Sequence, residues 1–231
     1  MVSFVRIELS KRRNDAKAEW MQKYLKTDMP FYGLQKPARA AVERNLHAHL
    51  GDDGIVTPQD YRDCVEALWA LPHREEKYLA IDLAMKHKRF ITPEAMDLYE
   101  SMLRQDYMWW DLVDPVAIHL VGGVAATHRD ETEPILRRWI QDQDCMWIRR
   151  TAILAQLMHR HKTNETMLLE FCRLRMHEKE FFIRKAIGWA LRQHSRYNPQ
   201  LVKQFLTDEK QNLSGLSYRE GAKRLVKIGM M

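Results

Sequence analysis

The stretch WWDLVD, Trp109 to Asp114, sets two adjacent indoles beside two carboxylates three residues apart. Carboxylates are costly to bury unless paired, and tryptophan is costly to leave exposed, so the cluster breaks one rule or the other. Breaks of that kind concentrate at functional sites. A second stretch, EFFIRKAIGWALRQH, carries Lys185, Trp189 and Arg192 at i, i+4 and i+7, a single stripe on a helix. Basic, aromatic, basic in that order suits a phosphate backbone with a sugar or base between the charges. The plainer reading is a solvated face with an arginine laid along it. Arg149 and Arg150, in MWIRRTAIL, offer a further pair of cations.

Presentation of the carboxylate depends on the local backbone. Trp110 and Asp114 are four apart and share a face if one helix runs through both. Pro115 disfavours helical geometry at the residue before it. Asp114 therefore has a second reading, as the cap of a helical segment that begins at Pro115. Adjacent helical positions point about 100° apart, so one of Trp109 and Trp110 belongs to the core.

The elements that must position these residues are helices. Thr57-Pro58, Thr92-Pro93 and Asn198-Pro199 each join a cap residue to proline at the first helical position. Apolar residues follow at helical spacing, as in YLAIDLAM and LVKQFL, and no alternating strand stands out. About twelve helices fit, with no Gly/Ser linker, so residues 1–231 read as a single domain. KYLAIDLAMK, IRRTAILAQLMH and IRKAIGWALRQH share a basic turn followed by Ala-Ile and further apolar residues. Helix pairs then start near 75, 108, 146 and 181, a spacing of about 33 to 38 residues, as in helical repeats. Pairs that cannot bury their apolar faces alone must stack, so an all-α curved solenoid is expected, its inner helices lining the functional surface.

Composition narrows the setting. The 231 residues carry 37 Lys+Arg against 31 Asp+Glu, a formal net charge of +6, which suits a polyanionic partner. No apolar run approaches the ~20 residues of a membrane span, and MVSFVRIELSKRRND turns charged too early for a secretory signal. Cys64, Cys145 and Cys172 are odd in number and far apart, which suits reduced thiols in a cytoplasmic protein. His47/His49 and His159/His161 are two apart, on nearly opposite sides of a helix, and lack a Cys or carboxylate at ligand spacing. They read as surface residues, and neither metal nor cofactor is expected.

FYGLQKPAR, ALWALPHREEKYLAIDL, WWDLVD, IRRTAIL and EFFIRKAIGWALR together resemble the AlkD family of DNA alkylation repair glycosylases, from about Ala18 to Leu225. The resemblance implies a HEAT-like solenoid, monomeric, with alkylated duplex DNA in its concave cleft. It implies excision of cationic N-alkylated purines such as N7-alkylguanine and N3-alkyladenine. The catalytic set it implies is Trp110, Asp114 and Trp189. Arg150 matches the cleft arginine; Gln35, Tyr24, Phe181, Phe182, Lys185 and Arg192 match positions lining the cleft, and Arg149 is added from its neighbour. Pro115 departs from the family pattern, where a small polar residue is expected.

That chemistry accounts for the opening stretch. An alkylated cationic base is already a good leaving group, so the protein must stabilise an oxocarbenium sugar and position a water. A carboxylate can do both, and indole faces attract the developing positive charge. No lysine in these motifs reads as a Schiff-base nucleophile, so a monofunctional enzyme is expected. The alternative is a non-catalytic helical-repeat module that binds DNA or an acidic protein surface. Such a module has no need of Trp110, Asp114 and Trp189 together.

Overall fold

The computed structural model describes residues 1–51 and 54–231, and among them every regular element is helical. The chain forms two compact units, Met1–Ile91 with Gln105–Leu112, and Thr92–Arg104 with Val113–Met231. The uninterrupted pattern of the sequence does not show this division. Its boundary falls inside a helix, where no linker composition could mark it.

The first unit contains α1 (Val2–Ser10), α2 (Asp15–Leu25), α3 (Lys36–Leu50), α4 (Pro58–Trp69) and α5 (Arg74–Lys86). Asn14 caps α2 by accepting from the Lys17 amide. Thr57 and Asp60 cap α4 reciprocally, with Pro58 at its first position. α3 packs on α1 and α5, and α4 on α5. Between α2 and α3 the chain turns through Gly33 at φ +86°, where a Cβ would sit 2.0 Å from the Asn14 carbonyl oxygen. Only glycine fits there.

The start of α5 secures that turn. Arg74, Glu75, Glu76 and Lys77 form a charge run that composition would place in water, yet all four are buried. Glu75 accepts from the amides of Tyr32, Gly33 and Leu34 at 3.0, 2.8 and 2.9 Å. Glu76 accepts from the Tyr32 hydroxyl and the His73 amide. Lys77 donates to the carbonyls of Trp69 and Leu71 and faces the Tyr107 ring, and burial pulls its ammonium down to about 8. Every charge in the run is matched, which is the condition for burying it.

The second unit contains α6 (Met96–Leu103), α8 (Gly122–Thr127), α9 (Arg129–Trp139), α10 (Met146–Leu154), α11 (Glu165–Arg175), α12 (Phe181–His194), α13 (Pro199–Asp208) and α14 (Gly215–Lys227). Asn198 caps α13 as expected, accepting from the Leu201 amide. Thr92-Pro93 instead opens a 3-10 turn, and Thr92 makes no side-chain cap. The pairs α9/α10, α11/α12 and α13/α14 pack internally, and their second members stack in order, α10 on α12 and α12 on α14. That is the expected packing of helix pairs.

α7 (Trp110–Pro115) runs into a wider π-helical segment, Val116–Val121, which leads straight into α8. Pro115 explains the widening. It has no amide to donate to the Asp111 carbonyl, and its ring presses on that carbonyl. Taking up an extra residue per turn relieves the crowding without ending the helix. Asp114 is thus inside a continuous helical run, and the expectation that it caps a segment beginning at Pro115 is corrected.

Candidate active site

In the first unit, Trp109 and Trp110 both pack, partly buried, against Ala18, Met21 and Leu25 of α2 and Phe31. The expected choice of one core tryptophan does not arise. Trp109 precedes α7, so the 100° separation of adjacent helical positions does not apply to it. Beneath them Asp111 receives Arg74 in a bidentate pair at 2.9 and 2.6 Å, and the Tyr78 hydroxyl donates to the same carboxylate. Arg74 is fully buried and also donates to the Tyr107 carbonyl at 3.2 Å. The start of α7, and Trp110 with it, is therefore clamped by a desolvated ion pair.

Tyr24 is 61% exposed and stacks at 5.4 Å on Trp20, one turn earlier on α2. Gln35 is exposed at the N-terminus of α3, on the loop that Glu75 holds.

In the second unit, Asp114 faces Arg150. The guanidinium makes two bonds to the carboxylate, at 2.8 and 3.0 Å, and a third to the Phe182 carbonyl at 2.6 Å. The Arg150 side chain is 3% exposed and that of Asp114 14%. Arg150 also lies over the Phe182 ring at 5.8 Å, and Phe182 meets Trp147 at 5.0 Å and Phe181 edge-on at 5.2 Å. α7, α10 and α12 thus converge on one guanidinium. Arg150, expected as a cation open to phosphate, is buried here and holds Asp114. Its pattern in the sequence, one of two adjacent arginines on an inner helix, does not distinguish the two.

Arg149, also expected to face DNA, is engaged with protein groups. It pairs with Glu178 through Nε and Nη2 and donates to the Asp142 carbonyl at 3.0 Å. Adjacent helical positions diverge, so with Arg150 turned inward Arg149 is carried onto the α11–α12 loop.

Trp189 is partly exposed on α12, two turns beyond Phe182 on the same face. Lys185 and Arg192 flank it, and both reach Glu220 of α14, at 2.9 and 2.6 Å. Lys223 joins the same carboxylate. Burial alone would raise the Glu220 carboxyl, but hydrogen bonds from Lys223 and Lys185 outweigh it and hold the group at about 2. Gly188 makes the arrangement possible. A Cβ there would lie 2.4 Å from the Glu220 Cβ, so only glycine lets α14 approach this closely.

Sequence reading missed Glu220, Arg74 and Tyr78, and noted Asp111 only as the second carboxylate of WWDLVD. The one available signal was HREEK itself, four charges in succession at a helix start. Among the described residues, no group of three or more His, Cys, Asp or Glu side chains is placed to hold a metal ion.

The fold and the site together define a class: an all-helical protein of stacked helix pairs, with an arginine-held aspartate on one helix and a basic, aromatic stripe on another. Residues 5–225 match the family model of the DNA alkylation repair enzymes, and the chain belongs to that family. Its fold is similar to a solved structure described as a predicted DNA alkylation repair enzyme from Enterococcus faecalis. The two are 33% identical over 94% of this chain and 98% of that one, with a TM-score of 0.84. No curated protein matches the chain. Membership supports a role in DNA alkylation repair, with DNA as the partner.

Proposed function

We propose that this chain is a monofunctional DNA glycosylase that hydrolyses the N-glycosidic bond of cationic N-alkylated purines in duplex DNA. The observation that carries this reading is the bidentate hold of Arg150 on Asp114, which fixes a carboxylate on α7 against the α10 and α12 helices. Burying an ion pair costs both partners their hydration, so stability alone is a weak reason to keep one. Here the arginine is sealed at 3% exposure while the carboxylate it holds stays partly open at 14%. The guanidinium fixes where the negative charge points.

In this reading the bond from C1′ to the purine nitrogen breaks with its electron pair passing to the base, which neutralises the positive charge that alkylation placed there. Asp114 stabilises the oxocarbenium sugar left behind. A water oxygen then bonds to C1′, and Asp114 accepts the proton that the water gives up. Trp189 on α12 offers an indole face to the developing cation, and the family resemblance gives Trp110 the same part. Lys185 and Arg192, a third or more exposed, serve the phosphate backbone.

The test is a duplex bearing one N7-methylguanine, incubated with the protein and then cleaved in alkali at any abasic site. Strand breaks only after alkali support a monofunctional glycosylase. Duplex binding without base release favours the binding module.

A further inference from the structure

α14 carries more positive charge than the site described so far uses. Arg219, Lys223 and Lys227 recur at i, i+4 and i+8, all three exposed. The one acidic residue on this helix, Glu220, is turned inward and buried. Among the described residues, Arg219 and Lys227 have no carboxylate partner, and Lys223 shares Glu220 with Lys185. A helix face that is merely solvated usually mixes signs. This one has a single sign over about 12 Å of helix axis, at 1.5 Å per residue. It also continues, through Glu220, into the Lys185 and Arg192 stripe of α12.

We propose that the exposed stripe of α14 is a second binding element for the phosphodiester backbone, extending the α12 stripe along the duplex. Glu220 acts as its mount. Three cations converge on one carboxylate, which leaves a formal excess of two positive charges. The carboxylate side chain is only 6% exposed, whereas those of Lys185, Arg192 and Lys223 are 38, 33 and 55% exposed. The cations are therefore anchored from below with N–H groups to spare, and a phosphate oxygen can be bound without displacing Glu220. Lys has three donors and Arg five, so one bond each to Glu220 leaves most of them available.

The inference rests on the reading of this protein as a duplex DNA binder, and it is tested on undamaged duplex so that base excision does not enter. Affinity is measured against salt for the native chain, for R219Q/K223Q/K227Q, and for K203Q/K210Q, which removes two exposed lysines on and just after α13. Each lost phosphate contact lowers the log–log salt slope by about 0.9. The α14 triple variant should therefore lose about 1.8 to 2.7 of slope, while the α13 variant keeps the native slope. An unchanged slope in a triple variant that melts like the native protein overturns the proposal. So does an equal fall in the α13 variant, which reports net charge and no particular face. R219Q and K227Q, which disturb no ion pair, give the same reading singly if the triple variant folds poorly. A native chain that fails to bind duplex at all overturns the function proposed above.

Discussion

Asp114→Asn should separate stability from chemistry, because this carboxylate pairs with buried Arg150 and is the catalytic group of the proposed mechanism. Asparagine keeps one oxygen for Arg150 and turns an amide donor toward the other guanidinium bond. A cation that is 3% exposed then loses its counter-charge. Breaking a buried pair by removing one partner costs about 3–5 kcal/mol, and the surviving hydrogen bond favours the lower end, about 3 kcal/mol. For a chain of this size each kcal/mol moves the melting temperature by about 2–4 °C, so a fall of roughly 6–12 °C is expected. Loss of a preorganised charge at the transition state costs a further 10²–10³-fold in rate, on the order of 2.7–4 kcal/mol. Single-turnover excision of N7-methylguanine, run well below both melting points and corrected for folded fraction, isolates the second effect. The double variant D114N/R150M removes both charges, so it should regain much of the lost stability and none of the excision. Excision per folded molecule close to native in Asp114→Asn would show that the ion pair is structural only, and the mechanism would go with it.

Other expectations follow from the same contacts. Arg150→Lys keeps the positive charge but not the bidentate grip, so excision should fall while the salt slope for DNA binding stays native; a reduced slope would return Arg150 to the phosphate face. Gly188→Ala places a methyl 2.4 Å from the Glu220 Cβ and 2.9 Å from the Ser217 carbonyl oxygen, a clash between packed helices worth about 1–3 kcal/mol. Thermal melting close to native in that variant would contradict the close α12–α14 approach. Glu220 is held at about 2 against an ordinary 4.5, so its contribution is fully present above about pH 4.5 and is lost as the pH falls toward 2. At roughly 1.4 kcal/mol per pH unit that is at most about 3.5 kcal/mol. The stability gap between native and E220Q should narrow over that window, measured by urea midpoints; a gap independent of pH would remove Glu220 as its source.

The parts of this molecule legible in sequence were those written in local code. Thr57-Pro58 and Asn198-Pro199 announce helix starts because a cap and a proline act within one turn. The Ala-Ile pattern marks the buried faces of α5, α10 and α12 because burial follows a 3.6-residue period. Asp114 and Trp189 could be nominated from spacing and resemblance. What charge means could not be read so locally. HREEK looks like a solvated run until Tyr32, Gly33 and Leu34 supply amides from some 40 residues away, and Arg74 finds Asp111 37 residues on. Arg149 and Arg150 are identical in the sequence and opposite in the fold, one gripping Glu178 and the other Asp114. Pro115 argued for a break in the helix at Asp114, because a proline that ends a helix and one that is followed by a wider turn look alike in local sequence.

The π-helical segment after Pro115 sets the rotational phase of everything up to α8. An α-helix advances about 100° per residue, so deleting a single residue from Val116–Val121 would rotate the downstream face by roughly that angle relative to Asp114. Gly122, whose absent side chain lets its backbone lie beside the Ala155 carbonyl, would swing off that contact, and its carbonyl would leave the His159 ring it meets at 2.8 Å. Length in this tract is therefore held more tightly than composition. Apolar residues there can be exchanged for one another, but the number of residues between Asp114 and Gly122 cannot change without turning the helix out of gear with α10.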